Sequence, residues 1–372
     1  MQKRILITGG AGFIGSHLAD DLLERGYSVR VLDNLSSQVH GPNRTRPAYL
    51  NRDAELIVSD VRDIHCLRKA LQGVDAVFHL AARVGVGQSM YEVAEYTSVN
   101  NLGTATLLEG LTANPVERLV VASSMSLYGE GLYRTPSGEI VHGFERSLAQ
   151  LRARDWELRN DAGEVLTPVP TAEWKPPSLA SVYALSKYDQ ERMCLMLGRA
   201  YDISTVALRF FNVYGTRQAL SNPYTGVLAI FASRLLNNRP PMIFEDGMQR
   251  RDFVSVYDVV QACRLALEVP SAAGRVFNVG SGQEFTIREV AERLGQVLNK
   301  PHIQPEITGK YRAGDIRHCV ADISLARQVL GYEPTIGFEE GLTQLTQWLA
   351  DQVAVDRVAE ASAELSARGL TV

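Results

Sequence analysis

Short apolar segments alternate with amphipathic segments along the first three-quarters of this chain. The apolar runs predict buried strands at 5–7, 28–32, 55–58, 76–80, 118–122, 204–209 and 276–279. Between them, the spacing of apolar positions predicts helices that include 13–26, 99–111 and 182–201. This alternation is typical of an α/β protein with a doubly wound parallel sheet and right-handed crossovers, so we expect ligands beyond the carboxyl ends of the strands.

A glycine-rich turn follows the first predicted strand, with the sequence Thr8-Gly-Gly-Ala-Gly-Phe-Ile-Gly15. We expect Gly9 to permit a tight turn, Gly12 to let the backbone approach a pyrophosphate, and Gly15 to let the next helix pack closely. The amides at the start of that helix would bind the phosphates. Asp33 ends the second strand, where a carboxylate binds a ribose 2′-hydroxyl and repels a 2′-phosphate. The order of these features predicts a Rossmann-type domain that binds NAD rather than NADP.

Composition and charge narrow the class of protein. The 372 residues are 45% apolar and 22% charged, as in ordinary globular proteins with room for two structural units. A net charge of −4 argues against nucleic acid or acidic membranes as partners. No apolar run reaches the roughly 18 residues that cross a bilayer. Because the first strand begins near Lys3 and the four cysteines lack C-x-x-C spacing, we expect no signal peptide, reduced thiols and a cytoplasmic location.

Hydroxyl groups and a tyrosine–lysine pair supply candidate catalytic chemistry. Ser123-Ser-Met-Ser126 follows an apolar strand, and Tyr183 and Lys187 lie one turn apart on a predicted helix. A neighbouring ammonium lowers the pKa of a phenol, so Tyr183 is a candidate general base. Ser124 would hold a substrate alcohol, and Lys187 can also reach a ribose hydroxyl of the cofactor. The alternative is a solvated pair on a helix surface, but the preceding dinucleotide motif favours catalysis.

Changes in composition suggest how the chain is organised. Residues 1–215 form the predicted NAD-binding domain, to which the segment near 250–280 returns with further sheet and helix. A smaller C-terminal α/β lobe that binds substrate is predicted from 216–249 and 281–350. Residues 351–372 form an alanine-rich helical tail that caps the fold or frays. A stretch rich in Pro, Gly, Arg and Glu at about 130–180 is predicted to be an inserted flap with a short helix at about 147–158.

Ordered motifs over residues 1 to about 345 resemble the extended short-chain dehydrogenase/reductases, in the nucleotide-sugar epimerase/dehydratase family. The motifs are Thr8–Gly15, Asp33-Asn34, Asp60-Val61, His79-Leu-Ala-Ala82, Asn100 with Gly103-Thr104, Ser124, Tyr183 with Lys187, Arg209-Phe-Phe-Asn-Val-Tyr-Gly215, Arg251-Asp-Phe253 and Arg312-Ala-Gly-Asp315. The family implies an NAD-dependent enzyme that acts on a nucleotide sugar. It also implies a homodimer formed through the two long helices that follow Asn100 and contain Tyr183.

The resemblance assigns roles to the matching positions. The implied catalytic residues are Tyr183, Lys187 and Ser124. The implied cofactor-binding residues are Gly9, Gly12, Phe13, Ile14, Gly15, Asp33, Asn34, Asp60, Val61, Leu80, Ala81, Ala82, Asn100, Tyr183, Lys187 and Phe211. The implied substrate-binding residues are Val86, Ser124, Ser126, Asn212, Arg251, Arg312 and Asp315. Amide donors and guanidinium groups of this kind suit a nucleoside diphosphate.

The residues after Ser124 favour one reaction within the family. Sugar 4,6-dehydratases place an acidic pair there, and decarboxylating relatives keep a glutamate. Met125 and Ser126 supply no such acid or base, so both reactions are disfavoured. The expected reaction is epimerisation by NAD, at C4 of a dTDP- or UDP-linked hexose or 6-deoxyhexose, through a transient 4-keto sugar. A dehydratase, a 4-ketosugar reductase and a non-catalytic NAD sensor are the alternatives.

The segments around the insert, 124–134 and 181–191, and the stretch Val84–Met90 resemble a subgroup of dTDP-L-rhamnose 4-epimerase-like proteins, which carry an insert at this place. In that subgroup two Cys-Pro-x-Cys-Gly-like knuckles would hold zinc. The matching stretches here, Thr135-Pro-Ser-Gly138 and Asn160-Asp-Ala-Gly163, contain no cysteine, and His142 alone cannot make a tetrahedral site. We therefore expect no bound metal. The insert joins the Ser124 strand to the Tyr183 helix, so it forms a lid or part of the sugar pocket, or else a surface decoration or an oligomer contact.

Overall fold

A seven-stranded parallel sheet lies at the centre of the molecule. The computed structural model describes residues 2–222, 224, 226–312, 314–352 and 355–371. The strands, in chain order, are β1 (Arg4–Thr8), β2 (Ser28–Asp33), β3 (Glu55–Val58), β4 (Ala76–His79), β5 (Arg118–Ser124), β6 (Leu132–Arg134), β7 (Ile140–His142), β8 (Thr167–Val169), β9 (Ser204–Phe210), β10 (Asn212–Tyr214), β11 (Met242–Ile243), β12 (Arg250–Arg251), β13 (Phe253–Ser255), β14 (Val276–Val279), β15 (Phe285–Thr286), β16 (Glu306–Ile307) and β17 (His318–Cys319).

Helices cover both faces of this sheet and build a second lobe. In chain order they are α1 (Phe13–Glu24), α2 (Ser37–His40), α3 (Ile64–Ala70), α4 (Val86–Ser89), α5 (Val93–Tyr96), α6 (Gly103–Ala113), α7 (Leu148–Arg152), α8 (Val182–Ala200), α9 (Val227–Leu236), α10 (Val256–Glu268), α11 (Ile287–Val297), α12 (Ser324–Leu330), α13 (Phe338–Leu349) and α14 (Val358–Ala367). Within the described ranges, none of them has both the length and the apolar character to cross a bilayer.

The strand order of the central sheet is β14-β9-β5-β4-β1-β2-β3, with all neighbours parallel. The chain runs outward from β1 to β3 and then returns to β4 on the other side of β1. Between β1 and β4 the direction of winding reverses, and ligands bind at such a point in a doubly wound sheet. The predicted Rossmann-type α/β fold is confirmed.

The alternation of side chains along β1 explains why both faces of the sheet are covered. Ile5 and Ile7 belong to one buried cluster, which includes Leu18 of α1. Leu6 belongs to the cluster on the opposite face, which includes Leu67 of α3 and Leu107 of α6. A strand that is buried on both faces reads as a continuous apolar run, which is why the sequence revealed the central strands.

Two helices differ from their predicted extent. The helix predicted at 99–111 is preceded by α5 and by a π-helical turn, Thr97–Leu102, before α6 begins. The helix predicted at 147–158 is only α7, because Ala153 caps it and Arg154 adopts a φ of +57°. The insert also contains a three-stranded antiparallel sheet, β7-β6-β8, which the sequence did not predict.

The second lobe has an apolar core of its own. Phe231 of α9, Leu294 of α11 and Leu342 of α13 are buried together in it. Short strand pairs, β11 with β16 and β12 with β15 and β17, surround this core. The core also includes Tyr214 and Phe253, which lie outside 216–249 and 281–350, and the predicted domain boundaries stay a prediction.

A buried ionic network fastens the insert to the second lobe. The guanidinium group of Arg317 is 0% exposed and donates to carboxylates of Glu245 (3.0 Å), Asp246 (2.6 Å) and Glu157. Glu130, at the start of the insert, accepts from the backbone amide of Arg317 at 2.6 Å. Because a buried charge is costly unless it is paired, this network holds the insert and the loop that precedes β17 in one arrangement.

Candidate active site

A cleft of about 430 Å³ opens where the winding of the sheet reverses. It is termed the glycine cleft, because Gly9, Gly12 and Gly15 line it. All the residues predicted to bind cofactor line this cleft, with the exception of Asn100. They are Gly9, Gly12, Phe13, Ile14, Gly15, Asp33, Asn34, Asp60, Val61, Leu80, Ala81, Ala82, Tyr183, Lys187 and Phe211.

The three glycines of the turn differ in what surrounds them. Gly9 has a φ of +70°, and a Cβ there would lie 2.8 Å from the backbone nitrogen of Ala81. A Cβ on Gly15 would lie 2.5 Å from the Cα of Gly10. At Gly12 a Cβ would meet a single atom, the carbonyl oxygen of Gly9, at 3.3 Å. The fold itself therefore requires Gly9 and Gly15, whereas the space beside Gly12 is left open for a ligand at the start of α1, as a dinucleotide pyrophosphate requires.

Asp33 lies in the position expected of the ribose-binding acid and also holds the glycine turn. Its two carboxylate oxygens accept from the backbone amides of Ala11 (3.1 Å) and Leu35 (2.9 Å). Burial raises the pKa of Asp33 above its ordinary value, while these amides act to lower it. Arg44 donates to the carbonyl oxygen of Asn34 at 2.6 Å, so its guanidinium group is engaged by the loop. This arrangement suits a cofactor with a free 2′-hydroxyl.

The predicted catalytic groups meet at the carboxyl end of β5. Ser181 caps α8 by accepting from the amide of Ala184 at 3.1 Å, which places Tyr183 in the first turn of the helix. Ser124 lies beside the Tyr183 phenol and acts to lower its pKa. The hydroxyl of Ser126 in turn donates to that of Ser124 at 2.9 Å. The three hydroxyl groups thus lie in one row.

Burial, rather than Lys187, dominates the pKa of Tyr183 in this structure, so the expected influence of Lys187 stays a prediction. Burial raises the pKa of Tyr183 above its ordinary value, and Ser124 is what acts against this rise. The ammonium group of Lys187 instead donates to Oε1 of Gln190 at 2.8 Å, and burial lowers the pKa of Lys187 to about 8. Both side chains are enclosed, so burial disfavours the charged form of each.

Asn100 does not line the glycine cleft but is buried, where it joins two segments of the fold. It is 0% exposed, and its amide accepts from the backbone nitrogen of Arg83 (2.7 Å) and donates to Oγ of Ser186 (2.9 Å). These bonds connect the loop after β4 to the helix that carries Tyr183. Contact of Asn100 with a cofactor stays a prediction.

A second cavity of about 370 Å³ adjoins the glycine cleft. It is termed the arginine cavity, because Arg251 and Arg312 line it. All the residues predicted to bind substrate line it: Val86, Ser124, Ser126, Asn212, Arg251, Arg312 and Asp315. Ser124, Tyr183, Phe211 and Asn212 line both spaces, so the two meet at the row of hydroxyl groups.

Polar groups in the arginine cavity suit an anionic, hydrogen-bonding ligand. The amide oxygens of Asn212 and Gln249 are buried without a hydrogen-bond partner. Burial would raise the pKa of Asp315, but the neighbouring Arg312 and Arg251 hold it below its ordinary value. Arg312 contacts Asp315 at 2.9 Å and is 40% exposed at its side chain. Guanidinium groups of this kind can bind a diphosphate, whereas the unpartnered amide oxygens can accept from hydroxyl or N–H groups of a nucleoside or sugar.

The sequence did not reveal several residues that line the arginine cavity. Gln249 and Phe244 precede the predicted Arg251 motif, and Ala361, Leu365 and Leu370 come from the C-terminal tail. The tail residues carry no chemistry that a motif search can recognise. The apolar face of the tail was a signal, but it indicated only that the tail packs on some surface.

The insert does not line either space. Among the described residues that line the glycine cleft and the arginine cavity, none falls within 130–180. The two cysteine-free knuckle stretches both form tight turns, which Thr135 and Asn160 close by accepting from the amides of Glu139 (3.0 Å) and Glu164 (2.9 Å). Side-chain oxygens therefore close these turns, and the absence of a metal stays a prediction.

Comparison with known proteins agrees with this site. The sequence model of the NAD dependent epimerase/dehydratase family matches residues 5–145 and 162–280. A dTDP-L-rhamnose 4-epimerase from Burkholderia thailandensis is 35% identical over 356 residues, 94% of this chain and 96% of that protein. A UDP-N-acetylglucosamine 4-epimerase from Methanobrevibacter ruminantium, solved with UDP-N-acetylmuramic acid, superposes with a TM-score of 0.77 at 31% identity, over 95% of this chain and 99% of the other.

The UDP-glucose 4-epimerase of Thermus thermophilus, solved with NAD, superposes with a TM-score of 0.73 at 32% identity, over 94% of this chain and 100% of that one. In the present structure the open side of Gly12, the start of α1 and the carboxylate of Asp33 fit the same cofactor. The chain is therefore an enzyme that uses NAD, and it belongs to the NAD dependent epimerase/dehydratase family.

Proposed function

We propose that this enzyme inverts the configuration at C4 of a dTDP- or UDP-linked hexose or 6-deoxyhexose through a transient 4-keto sugar. The proposal rests on one observation: the glycine cleft and the arginine cavity meet at Tyr183 and Ser124. A sugar held by its diphosphate in the arginine cavity reaches these hydroxyl groups and the glycine cleft together. The relatives described above are named as 4-epimerases of dTDP- and UDP-sugars, which supports the same reaction here.

Tyr183, Ser124 and Lys187 have different roles in the proposed reaction. Bound NAD supplies a site that accepts a hydride from the sugar carbon and returns it to the other face. Tyr183 takes the proton of the C4 hydroxyl group as the carbonyl forms and gives it back when the hydride returns. Ser124, held by Ser126, orients that hydroxyl group. Lys187 lines the glycine cleft and is positioned to hold the cofactor.

The arrangement of carboxylates disfavours elimination at C5 and C6. Asp315 is the one carboxylate among the described residues that line the arginine cavity, and it is paired with Arg312. Glu130, the next acid after Ser124, accepts from Tyr133 at 2.7 Å and from the backbone before β17. Neither acid is free to remove a proton from the sugar, which leaves epimerisation ahead of dehydration.

A product analysis tests this proposal. Purified enzyme is incubated with a panel of dTDP- and UDP-sugars in deuterated water, and the products are examined by NMR and mass spectrometry. We expect a C4 epimer of unchanged mass without ring deuterium. Tyr183→Phe should abolish conversion while NAD stays bound, and Tyr188→Phe on the same helix should retain it. A product of altered mass, or deuterium on the ring, would contradict the scheme.

We infer that two copies of the chain pair through α6 and α8. Leu102, the last residue of the π-helical turn before α6, is 55% exposed, and Leu185 and Met196 of α8 are 46% and 53% exposed. Leu185 and Met196 are eleven positions apart and so share one face of the helix. Apolar side chains exposed together on adjacent helices support the family expectation of a homodimer. Leu185→Glu should shift the protein from dimer to monomer in sedimentation, and a wild-type monomer would exclude the inference.

A further inference from the structure

The C-terminal tail, residues 355–371, is anchored at its start to the second lobe. The carboxylate of Asp356 accepts from Arg234 at 3.3 Å and from Arg239 at 3.0 Å, and the Asp356 side chain is only 3% exposed. The amide of Val355 donates to Oγ of Ser221 at 3.1 Å. These bonds fix the point from which α14 departs.

The tail then crosses the arginine cavity, from the end beside Tyr183 to the end beside Arg312. At Gly87 of α4, a Cβ would lie 3.2 Å from Cδ2 of Leu365. The same helix contacts the catalytic residue, because Oγ of Ser89 accepts from the backbone nitrogen of Tyr183 at 3.0 Å. Near the end of the tail, Thr371 forms a backbone bridge with Arg312.

The tail supplies an apolar wall to the cavity. Val358, Ala361, Leu365 and Leu370 line it from this segment, and Ser362 is the one polar residue among the described tail residues that do so. Val86 and Met90 line it from the loop and helix beside Tyr183. Among the described residues that line the cavity, the charged ones are confined to Arg251, Arg312 and Asp315. Since a diphosphate on C1 would lie with these arginines, the opposite end, where C4 reacts, has no charged side chain.

We propose that the tail is a specificity wall that selects nucleotide-linked 6-deoxyhexoses by contact with the C6 methyl group. This inference rests on the proposed C4 epimerisation, which brings C5 and C6 beside Tyr183. C6 carries a methyl group in a 6-deoxyhexose, a hydroxymethyl group in a hexose and a carboxylate in a uronic acid, so its polarity distinguishes these three classes of sugar. An apolar wall favours a methyl group there. It disfavours a C6 carboxylate, because a buried charge without a partner is strongly destabilised.

A series of ligands that differ only at C6 tests the wall without requiring turnover. The ligands are the 6-deoxyglucose, glucose and glucuronic acid derivatives of dTDP, or of UDP if that nucleotide binds more tightly. Dissociation constants are measured by calorimetry on the NAD-loaded, full-length Tyr183→Phe variant. We expect the 6-deoxy sugar to bind at least tenfold more tightly than the uronic acid, with glucose between them.

Two substitutions on opposite faces of α14 then assign the effect to the tail. Leu365→Lys should weaken binding of the 6-deoxy sugar about tenfold and reduce the preference over the uronic acid about tenfold. Ala363→Lys, at an exposed position of the same helix, should change each dissociation constant less than about twofold. Leu365→Ala keeps the wall apolar and should retain the order of the three ligands.

The outcomes separate this inference from the proposed function. Equal binding of the three sugars, or equal effects of Leu365→Lys and Ala363→Lys, would overturn the specificity wall even if the wild-type enzyme epimerises its substrate. Wild-type enzyme that binds the 6-deoxy sugar in the expected order but never converts it, or any other sugar of the panel, would refute the epimerase proposal and leave the wall intact.

Discussion

The substitution Gly12→Ala separates cofactor binding from folding. Gly12 caps α1 with φ −75° and ψ −174°, an extended conformation that any residue adopts. The added methyl group would lie 3.3 Å from the carbonyl oxygen of Gly9 and otherwise in the open glycine cleft. The protein itself therefore has room for alanine, whereas a pyrophosphate in van der Waals contact with the backbone of Gly12 has not.

The expected magnitudes follow from these contacts. Replacing glycine by alanine at an allowed backbone conformation changes the free energy of unfolding by less than about 1 kcal/mol. Forcing an extra methyl group into a filled contact costs about 1–3 kcal/mol, which corresponds to roughly a tenfold to hundredfold loss of NAD affinity. At Gly15, a Cβ would be 2.5 Å from the Cα of Gly10, so Gly15→Ala should instead destabilise the apo-protein, by about 2 kcal/mol or more.

Calorimetric titration of NAD into the apo-protein and urea unfolding of the same samples measure the two quantities. Gly337→Ala is the matched control, because Gly337 caps α13 with φ −63° and a Cβ there would meet no atom within 4 Å. It should leave NAD affinity unchanged. Unaltered NAD affinity in Gly12→Ala, or a loss of stability as large as that of Gly15→Ala, would refute the reasoning.

Three further predictions concern the buried charges and the row of hydroxyl groups. Lys187→Met should raise the free energy of unfolding of the apo-protein by about 3 kcal/mol below pH 8, because a buried lysine with a pKa of about 8 rather than 10.5 opposes folding while it is charged. Urea unfolding at a series of pH values measures this gain, which should fall to zero by about pH 10.5. Arg317→Met should cost about 3–5 kcal/mol, because it breaks the buried ion pair with Glu245, which is then left with Arg146, together with the pairs to Glu157 and Asp246. Arg327→Met removes an exposed pair and should cost less than about 1 kcal/mol in the same assay. Ser124→Ala should lower kcat at least about tenfold. It should also move the rising limb of the pH–rate profile to higher pH, because Ser124 acts to lower the pKa of Tyr183. A rising limb at unchanged pH would exclude this effect of Ser124 on Tyr183.

The central sheet could be predicted because its strands are buried on both faces. Val276–Val279, which is largely buried, was placed at its observed bounds from its apolar run. Glu55–Val58 was also placed at its observed bounds, although this edge strand is partly exposed. The strands of the insert, such as Leu132–Arg134, are three residues long and pair antiparallel with distant segments, so they carry no usable periodicity. The π-helical turn at Thr97–Leu102 was also missed, because the spacing of apolar residues does not reveal a change of hydrogen-bond register.

The site was predictable where backbone geometry and motif coincide. The glycine turn and Asp33 lie at strand ends, where the topology of the sheet brings them together. The hydrogen bond from Lys187 to Gln190 joins positions three apart on α8, so helical spacing could have indicated it, but the sequence motif drew attention to Tyr183 instead. Leu365 was missed for a different reason, since a leucine more than 150 residues beyond the catalytic motif contributes shape and not recognisable chemistry.

The charge distribution of the arginine cavity fits the demands of an epimerase. To invert a carbon, the enzyme must present both faces of a keto sugar to the same reactive groups, so the ring has to turn between the two hydride transfers. Directional hydrogen bonds to every ring substituent would hold one orientation and oppose that turn. Charged groups confined to Arg251, Arg312 and Asp315 can retain the diphosphate throughout. An apolar residue such as Leu365 would contact the proposed sugar without fixing its direction, because hydrophobic contact is non-directional. Firm attachment at one end and non-directional contact at the other therefore allow the intermediate to rotate without leaving the site.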